Sequence, residues 1–397
     1  MSKPSLLVLD GETVKLRILA GRQSSNSMVH VDWFRFTTRL KFAPIPDVDV
    51  MFPRWDSIWQ DNERAFRLNK LLAELPDHDW SASAQAFTLA GQIADCMGPD
   101  FAVDLDVKKG QDFYKFRWSI TLNGEEVAWV GFLSSSDSPR QKSQSATIHA
   151  NIQGTACTFA ASGWRDRLAD LVDLCDGEVT RVDLALDFFD GYQGGIDSVR
   201  SDYRDGLCNV GGRKLKFNMV GDWENGHDRS VYLGSREAGK VTNVYEKGDQ
   251  LYGAQAGSDW LRFELRYGNK LRVLSTDMLR RPDDFFAGAS DWHQSVLLKA
   301  GTVVHPEQVT CNGRRQVETV QAECLRNLRW LFNTAGASVW AALNVVDLDG
   351  LWEQLEGSKL PGRLKKFSKQ QIEAGMASAL RIISSAGPMT GGLQAVH

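Results

Sequence analysis

Several signatures of large functional classes are missing from this chain. It has no Walker A sequence and no Gly-rich dinucleotide loop, which sets aside P-loop and Rossmann chemistry. No segment reaches the roughly 18 apolar residues that a membrane span requires. The opening "MSKPSLLVLDGETVKLRILAG" is interrupted by Asp10, Glu12 and Lys15, unlike a signal peptide, so a cytosolic protein is expected. Cysteine is sparse: the six residues match no zinc spacing and are too few for a disulfide scaffold, so free thiols in a reducing compartment follow. An excess of positive charge is also absent. With 46 Lys and Arg against 50 Asp and Glu, the net charge of −4 excludes binding to nucleic acid by general positive charge. Any such contact must be a local, salt-dependent patch.

What is present is a well-filled globular composition. At 397 residues, with 43% hydrophobic residues, the chain can bury large cores and favours about two domains. Residues 1–28 read as a short strand pair with a Ser-rich connector, residues 29–270 as a sheet domain, and residues 271–397 as a mainly helical accessory region. Within the middle region, "VHVDWFRFTTRL" is a strand, 61–75 and 81–97 carry helical spacing, and "NGE" marks a hairpin between two strands. "GWRDRLADLVDLCDG" makes an amphipathic helix with Gly177 as its candidate C-cap. Strands broken by single helices predict an α+β fold, a largely antiparallel sheet with packed helices.

Three strands share a chemical pattern. In "RVDLALD", alternation puts Arg181, Asp183 and Asp187 opposite Val182, Leu184 and Leu186. In "LRFELRY", Arg262, Glu264 and Arg266 stand opposite Leu261, Phe263 and Leu265; in "NVYEKG", Asn243, Tyr245 and Lys247 stand opposite Val244. A solvated sheet face has no need to concentrate Asp, Glu, Arg and Tyr in this way. If the three faces meet, Asp183, Asp187 and Glu264 offer hard oxygen ligands for Mg²⁺ or Mn²⁺. Arg262, Arg266 and Lys247 offer counter-charges to phosphate, and Tyr245 a phenolic nucleophile.

The order "TRVDLALDFFDG", "YLGSR", "NVYEKGDQ" and "WLRFELR" resembles the replication initiation proteins of filamentous phages and small rolling-circle plasmids, the Rep_trans family, over roughly residues 29–270. "VHVDWFRFTT" is similar to the first strand of the phage branch. The resemblance implies the rolling-circle initiator nicking fold and a metal-dependent endonuclease that also rejoins strands. Tyr245 would attack origin DNA, single-stranded at the nick, leaving a 5′-phosphotyrosyl link and a free 3′-hydroxyl. Lys247 and Arg262 would assist. Arg181 with Asp183, and Arg262 with Glu264, fall on the family's Arg-x-Asp and Arg-x-Glu strands; the acids mark a site for Mg²⁺ or Mn²⁺, with Asp187 a less secure member. Gln250 stands where the plasmid proteins often carry Glu and is left out of that site. His-x-His, used by related nicking enzymes, does not occur.

Further implied are a bacterial host cytoplasm, a host helicase and replication polymerase as partners, and no membrane, with a homodimer left open. Arg181, Arg266, Arg314, Arg315, Lys365 and Lys366 are the candidate phosphate contacts. His30, Asp32 and His149 stand in strands, and whether they join the site is left open. A second nucleophile could be Tyr252, Tyr232, Tyr267 or a partner subunit's Tyr245. The competing classes are a non-catalytic DNA-binding regulator of replication and a structural or partner-binding protein.

Overall fold

The computed structural model describes residues 11–45, 80–136, 138, 141, 143–301, 306–355 and 359–385. They form α1 (Gly11–Ser25), β1 (His30–Arg39), α2 (Trp80–Met97), β2 (Phe101–Val103), β3 (Lys108–Lys109), β4 (Tyr114–Leu122), β5 (Glu125–Ser134), β6 (Thr147–Ile152), α3 (Gly154–Phe159), α4 (Trp164–Leu174) and β7 (Glu178–Phe188). Then come α5 (Gly195–Arg204), β8 (Phe217–Asp222), β9 (His227–Ser235), β10 (Lys240–Glu246), α6 (Lys247–Tyr252), β11 (Leu261–Gly268), α7 (Asp277–Arg280), α8 (Pro282–Ala287) and α9 (Asp291–Ala300). The C-terminal helices are α10 (Arg314–Trp330), α11 (Gly336–Leu343), α12 (Leu348–Leu355) and α13 (Lys369–Ser385).

The fold is α+β, as the strand and helix pattern predicts. One 11-stranded sheet runs β2-β4-β5-β6-β1-β7-β11-β10-β9-β8, with β3 beside β4, and every pairing is antiparallel. Its apolar face carries Phe34 and Phe36 of β1, Val182, Leu184 and Leu186 of β7, and Phe263 and Leu265 of β11, all fully buried. Leu89 and Ile93 of α2, Leu168 and Val172 of α4, and Phe286 and Val296 of α8 and α9 belong to the same core. The period-2 pattern of the strands thus meets the period-3.6 stripes of the helices, the layered arrangement that lets each bury its apolar side. Among the described residues, no helix is long and apolar enough to cross a membrane.

The β4–β5 hairpin turns on Asn123 and Gly124, both with positive φ, the geometry that an Asn-Gly two-residue turn favours. At the end of α4 the left-handed residue is Asp176, with φ 48°, rather than the predicted Gly177; Gly177 instead donates its N–H to the Val172 carbonyl at 2.8 Å. The predicted N-terminal strand pair is not found: residues 11–25 are helical. Val14 and Ile18, one helical turn apart, bury together against Trp260. Residues 1–10 and the predicted helix over 61–75 lie outside the described residues.

The chain forms two compact units. One holds Met1–Lys270 and Leu274–Cys311, so α7, α8 and α9 belong with the sheet and the predicted boundary at residue 270 falls too early. The other holds Leu271–Val273 and Asn312–His397. Its core is small, built from Val320, Cys324 and Leu328 of α10, Leu364, and Ile372 and Ala379 of α13.

Candidate active site

Strand register assembles the polar face. Arg262 lies opposite Asp187, Glu264 opposite Ala185 and Arg266 opposite Asp183, placing the β7 and β11 charges in one patch. On the other side of β11, Tyr245 is opposite Arg262 and Asn243 opposite Glu264. β1 pairs with β7 as well, putting Trp33 opposite Asp183 and Arg35 opposite Arg181. The register slips between Val31 and Trp33, so Asp32 occupies a bulge, a device that re-aims a side chain. His30 and Asp32 therefore join the patch, whereas His149 does not. It hydrogen-bonds Thr37 elsewhere on the sheet.

Arg262 is the hub. Only 2% exposed, it donates from Nε to Asp187 Oδ1 at 2.7 Å and from Nη1 to Asp32 Oδ1 at 2.8 Å. Trp260 Nε1 donates to the same Asp187 oxygen at 2.7 Å, and His30 Nδ1 lies 3.3 Å from Asp187 Oδ2. Burial by itself would raise Asp187, but Arg262, His30 and the hydrogen bonds from Arg262 and Trp260 hold it below the ordinary carboxylate range. Asp32 is likewise held low: burial opposes ionisation, and Arg262, His30 and Lys247 outweigh it. His30 is lowered, chiefly by burial, against the opposing pull of Asp32 and Asp187.

Asp183, 1% exposed, is closed in a different way. Arg181 donates to both of its oxygens, from Nε at 2.8 Å and through a second short contact from Nη2, and Arg266 Nε donates at 3.1 Å. Glu264 is left with little. Its Oε1 accepts from Arg266 Nη2 at 3.3 Å and its Oε2 from the Tyr245 hydroxyl at 3.4 Å. Burial, with Asp32 and Asp183 nearby, pushes the Glu264 carboxyl up to about 7 against the pull of Arg262 and Arg266.

Tyr245 is raised well above the ordinary phenol, mainly by burial, with Glu264, Asp32 and Asp187 adding to it and Arg262 opposing. Lys247 is not on the strand with Tyr245, as alternation predicts, but opens α6. Its Nζ lies 5.8 Å from the Tyr245 ring centroid and donates to Gln250 Oε1 at 2.7 Å, so the amide at Gln250 orients the lysine. Burial and Arg262 bring the Lys247 ammonium down to about 8.

Asp183 and Asp187 do not fit a metal-ligand role, because guanidinium groups take both oxygens of each, whereas Arg262 takes one oxygen of Asp32 and Arg266 one of Glu264. Among the described residues, no three His, Cys, Asp or Glu side chains gather as a metal cluster. The expected three-acid site is therefore not assembled. Glu264 differs. It is a half-buried carboxylate in excess negative potential beside Asp32, the donor chemistry that a hard divalent cation compensates.

The other tyrosines separate by face. Tyr267 turns to the apolar side and donates to the Phe285 carbonyl, and Tyr252 donates to Glu12 of α1. Tyr232 of β9 lies opposite Asn243, on the same face as Tyr245. Of the candidate phosphate contacts, Arg181 and Arg266 are in the patch, while Arg314, Arg315, Lys365 and Lys366 belong to the second compact unit.

Residues 177–333 match the replication initiation factor family. No curated protein matches the chain. Among solved structures, the chain is similar to the rolling circle replication initiator protein from Geobacillus stearothermophilus, at 16% identity and a TM-score of 0.41 over 71% of this chain and 99% of that one. β1, with His30 and Asp32, precedes the matched segment and reaches the patch only through its pairing with β7.

Proposed function

We propose that the chain initiates rolling-circle replication by nicking and rejoining origin DNA through Tyr245. The supporting observation is a half-buried tyrosine whose hydroxyl donates to Glu264, with a lysine of lowered pKa beside its ring. Simple DNA binding requires no such set. A phenol raised by burial needs a base, and the neutral amine of Lys247, accessible near pH 8, is matched to that task. Glu264 orients the hydroxyl.

The Tyr245 oxygen attacks phosphorus in line. The Oη–P bond forms, the P–O3′ bond breaks, and the phenolic proton taken up by Lys247 passes to the departing 3′-oxygen. A 5′-phosphotyrosyl link and a free 3′-hydroxyl result. Attack by a 3′-hydroxyl on that ester reverses the step and rejoins the strand. The positive field of Arg262 and Arg266 offsets charge on the phosphoryl oxygens. Glu264 and Asp32 are the residues that would hold Mg²⁺ or Mn²⁺; when bound, the cation supplies further positive charge to the phosphodiester. A host polymerase would extend the 3′ end and a host helicase would open the duplex.

The test incubates the protein with labelled single-stranded origin DNA and Mn²⁺, then resolves denaturant-resistant adducts. Tyr245→Phe should lose the adduct and keep DNA binding. An adduct of equal abundance in that variant removes Tyr245 from the reaction. Absence of any adduct with the unaltered protein favours the non-catalytic regulator.

A further inference from the structure

The polar face has a second depression, away from Tyr245. A cavity of about 600 Å³ is lined by Arg35, Arg181, Arg236, Arg266, Phe113 and His149, among other residues. Its lining holds five Lys and Arg side chains against one carboxylate, Asp112, which pairs with Arg35 at 2.9 Å. With Asp183, which Arg181 and Arg266 hold from outside the lining, counted as well, cations still outnumber carboxylates in a chain of net charge −4. Arg236 stands exposed on the turn between β9 and β10.

Two further features point to a ligand with a planar, polar ring. Phe113 is 63% exposed and holds φ at +74°, a conformation that costs energy in a non-glycine residue. An aromatic face held at the rim of a basic cavity is a stacking platform. His149 is only 7% exposed; its Nδ1 meets Thr37 Oγ1 at 2.9 Å, and its Nε2 has no hydrogen-bond partner. An unpaired buried ring nitrogen carries a cost that a ligand's donor or acceptor would relieve. Burial and Arg35 bring the ring down to about 3, so it is neutral at physiological pH.

The cavity also lies on the path of the proposed substrate. Arg266, in its wall, and Arg262, opposite Tyr245, are four residues apart on the same face of β11, about 13 Å at strand rise. That is a span of a few nucleotides.

We propose that this cavity seats one nucleotide of the single strand flanking the nick. Arg35, Arg181, Arg236 and Arg266 take its phosphates, Phe113 stacks on its base, and His149 meets the base edge. An unpaired base is required, because a paired one presents neither a free face to Phe113 nor a free edge to His149. The seat would fix the register of the strand relative to Tyr245. It rests on the nicking reading for the identity of the strand, not for the existence of the seat.

Fluorescence anisotropy of a labelled single-stranded oligonucleotide of mixed sequence, titrated over salt, tests it in the full chain. Arg236→Ala should flatten the slope of log K against log salt by about 0.7, the value for one phosphate contact on a single strand. Phe113→Ala should weaken binding by about fivefold or more at every salt concentration, with the slope unchanged. The same sequence as a duplex should show no Phe113 effect. Wild-type affinity in both variants, or an equal Phe113 effect on duplex, overturns the seat. Adduct formation by the unaltered protein, scored in parallel, separates the two readings: cavity effects without an adduct remove the nicking reading and keep the seat, and an adduct without cavity effects does the reverse.

Discussion

Glu264 and the two carboxylates that Arg262 holds, Asp32 and Asp187, act on stability in opposite directions across pH. The Glu264 carboxyl rises from an ordinary 4.5 to about 7 in the folded chain, so between those values the native state holds a proton that the unfolded state has released. Its stabilising contribution is complete below pH 4.5 and lost as pH rises through 7. Glu264→Gln, neutral at every pH, should therefore be more stable than the parent at pH 8, by up to about 3 kcal/mol, and equal to it at pH 4. Urea midpoints at the two pH values check this, and a difference that does not change with pH would sink it. Mn²⁺ should narrow the gap at pH 8 by raising only the parent, since ligand binding to the native state stabilises it. Asp32 and Asp187 have lowered pKa values, so what they contribute is present above pH 3.8 and lost as pH falls below it. Arg262→Met leaves the buried Asp187 and the half-buried Asp32 without their cation and should cost about 3–5 kcal/mol, read as a lowered melting temperature at pH 7. For Lys247, lowered to about 8, the effect falls on rate: adduct formation should rise with pH through 8, and Lys247→Met should slow it by about 10²-fold or more and flatten the profile.

Single elements decide how such residues are aimed, and here the sequence is unequally readable. Alternation in β7, β10 and β11 is local, so the carboxylates, arginines and Tyr245 can be assigned to one face from the residues themselves. The contribution of β1 cannot. His30 pairs opposite Ala185, far along the chain, and Asp32 reaches Arg262 because the strand bulges at that point, neither of which leaves a periodic trace. The ion pairing of Asp183 and Asp187 is hidden for the same reason: residue types fix charge, and register fixes which charge is already spent. Misreading α1 as strands has another cause, since Val14 and Ile18 find their partner in Trp260, a tertiary contact that overrides weak local preference. The bulge itself can be tested. A Cβ on Gly154 at the start of α3 would lie 2.9 Å from the Asp32 carbonyl oxygen and 3.3 Å from its carboxylate. Gly154→Ala should shift the bulge and weaken Mn²⁺ affinity on the order of tenfold, as other losses of ligand support do. Calorimetric titration measures that; unchanged affinity would remove Asp32 from the proposed cation site.

At the scale of the whole molecule, the polar sheet face and the C-terminal basic residues sit in separate compact units. The two cores differ greatly in extent, and a unit that buries few apolar side chains has little free energy with which to oppose chain entropy. Its stability depends on close approach of α10 and α13 at Gly375. A Cβ there would meet Val320 Cγ1 at 2.7 Å and Cys324 Sγ at 3.0 Å. Gly375→Val should therefore force the two helices apart and unfold residues 312–385, while the sheet keeps its own core. Hydrogen exchange followed by mass spectrometry should show protection lost across α10 and α13 and retained across β7 and β11. If Arg314, Arg315, Lys365 and Lys366 hold duplex origin DNA, the same variant should lose duplex affinity yet form the Tyr245 adduct on a single-stranded substrate at the parent rate. Exchange rising together in β11 and α13 would mean that the two units fold as one cooperative body, and that chemistry and duplex binding cannot be uncoupled by a single substitution.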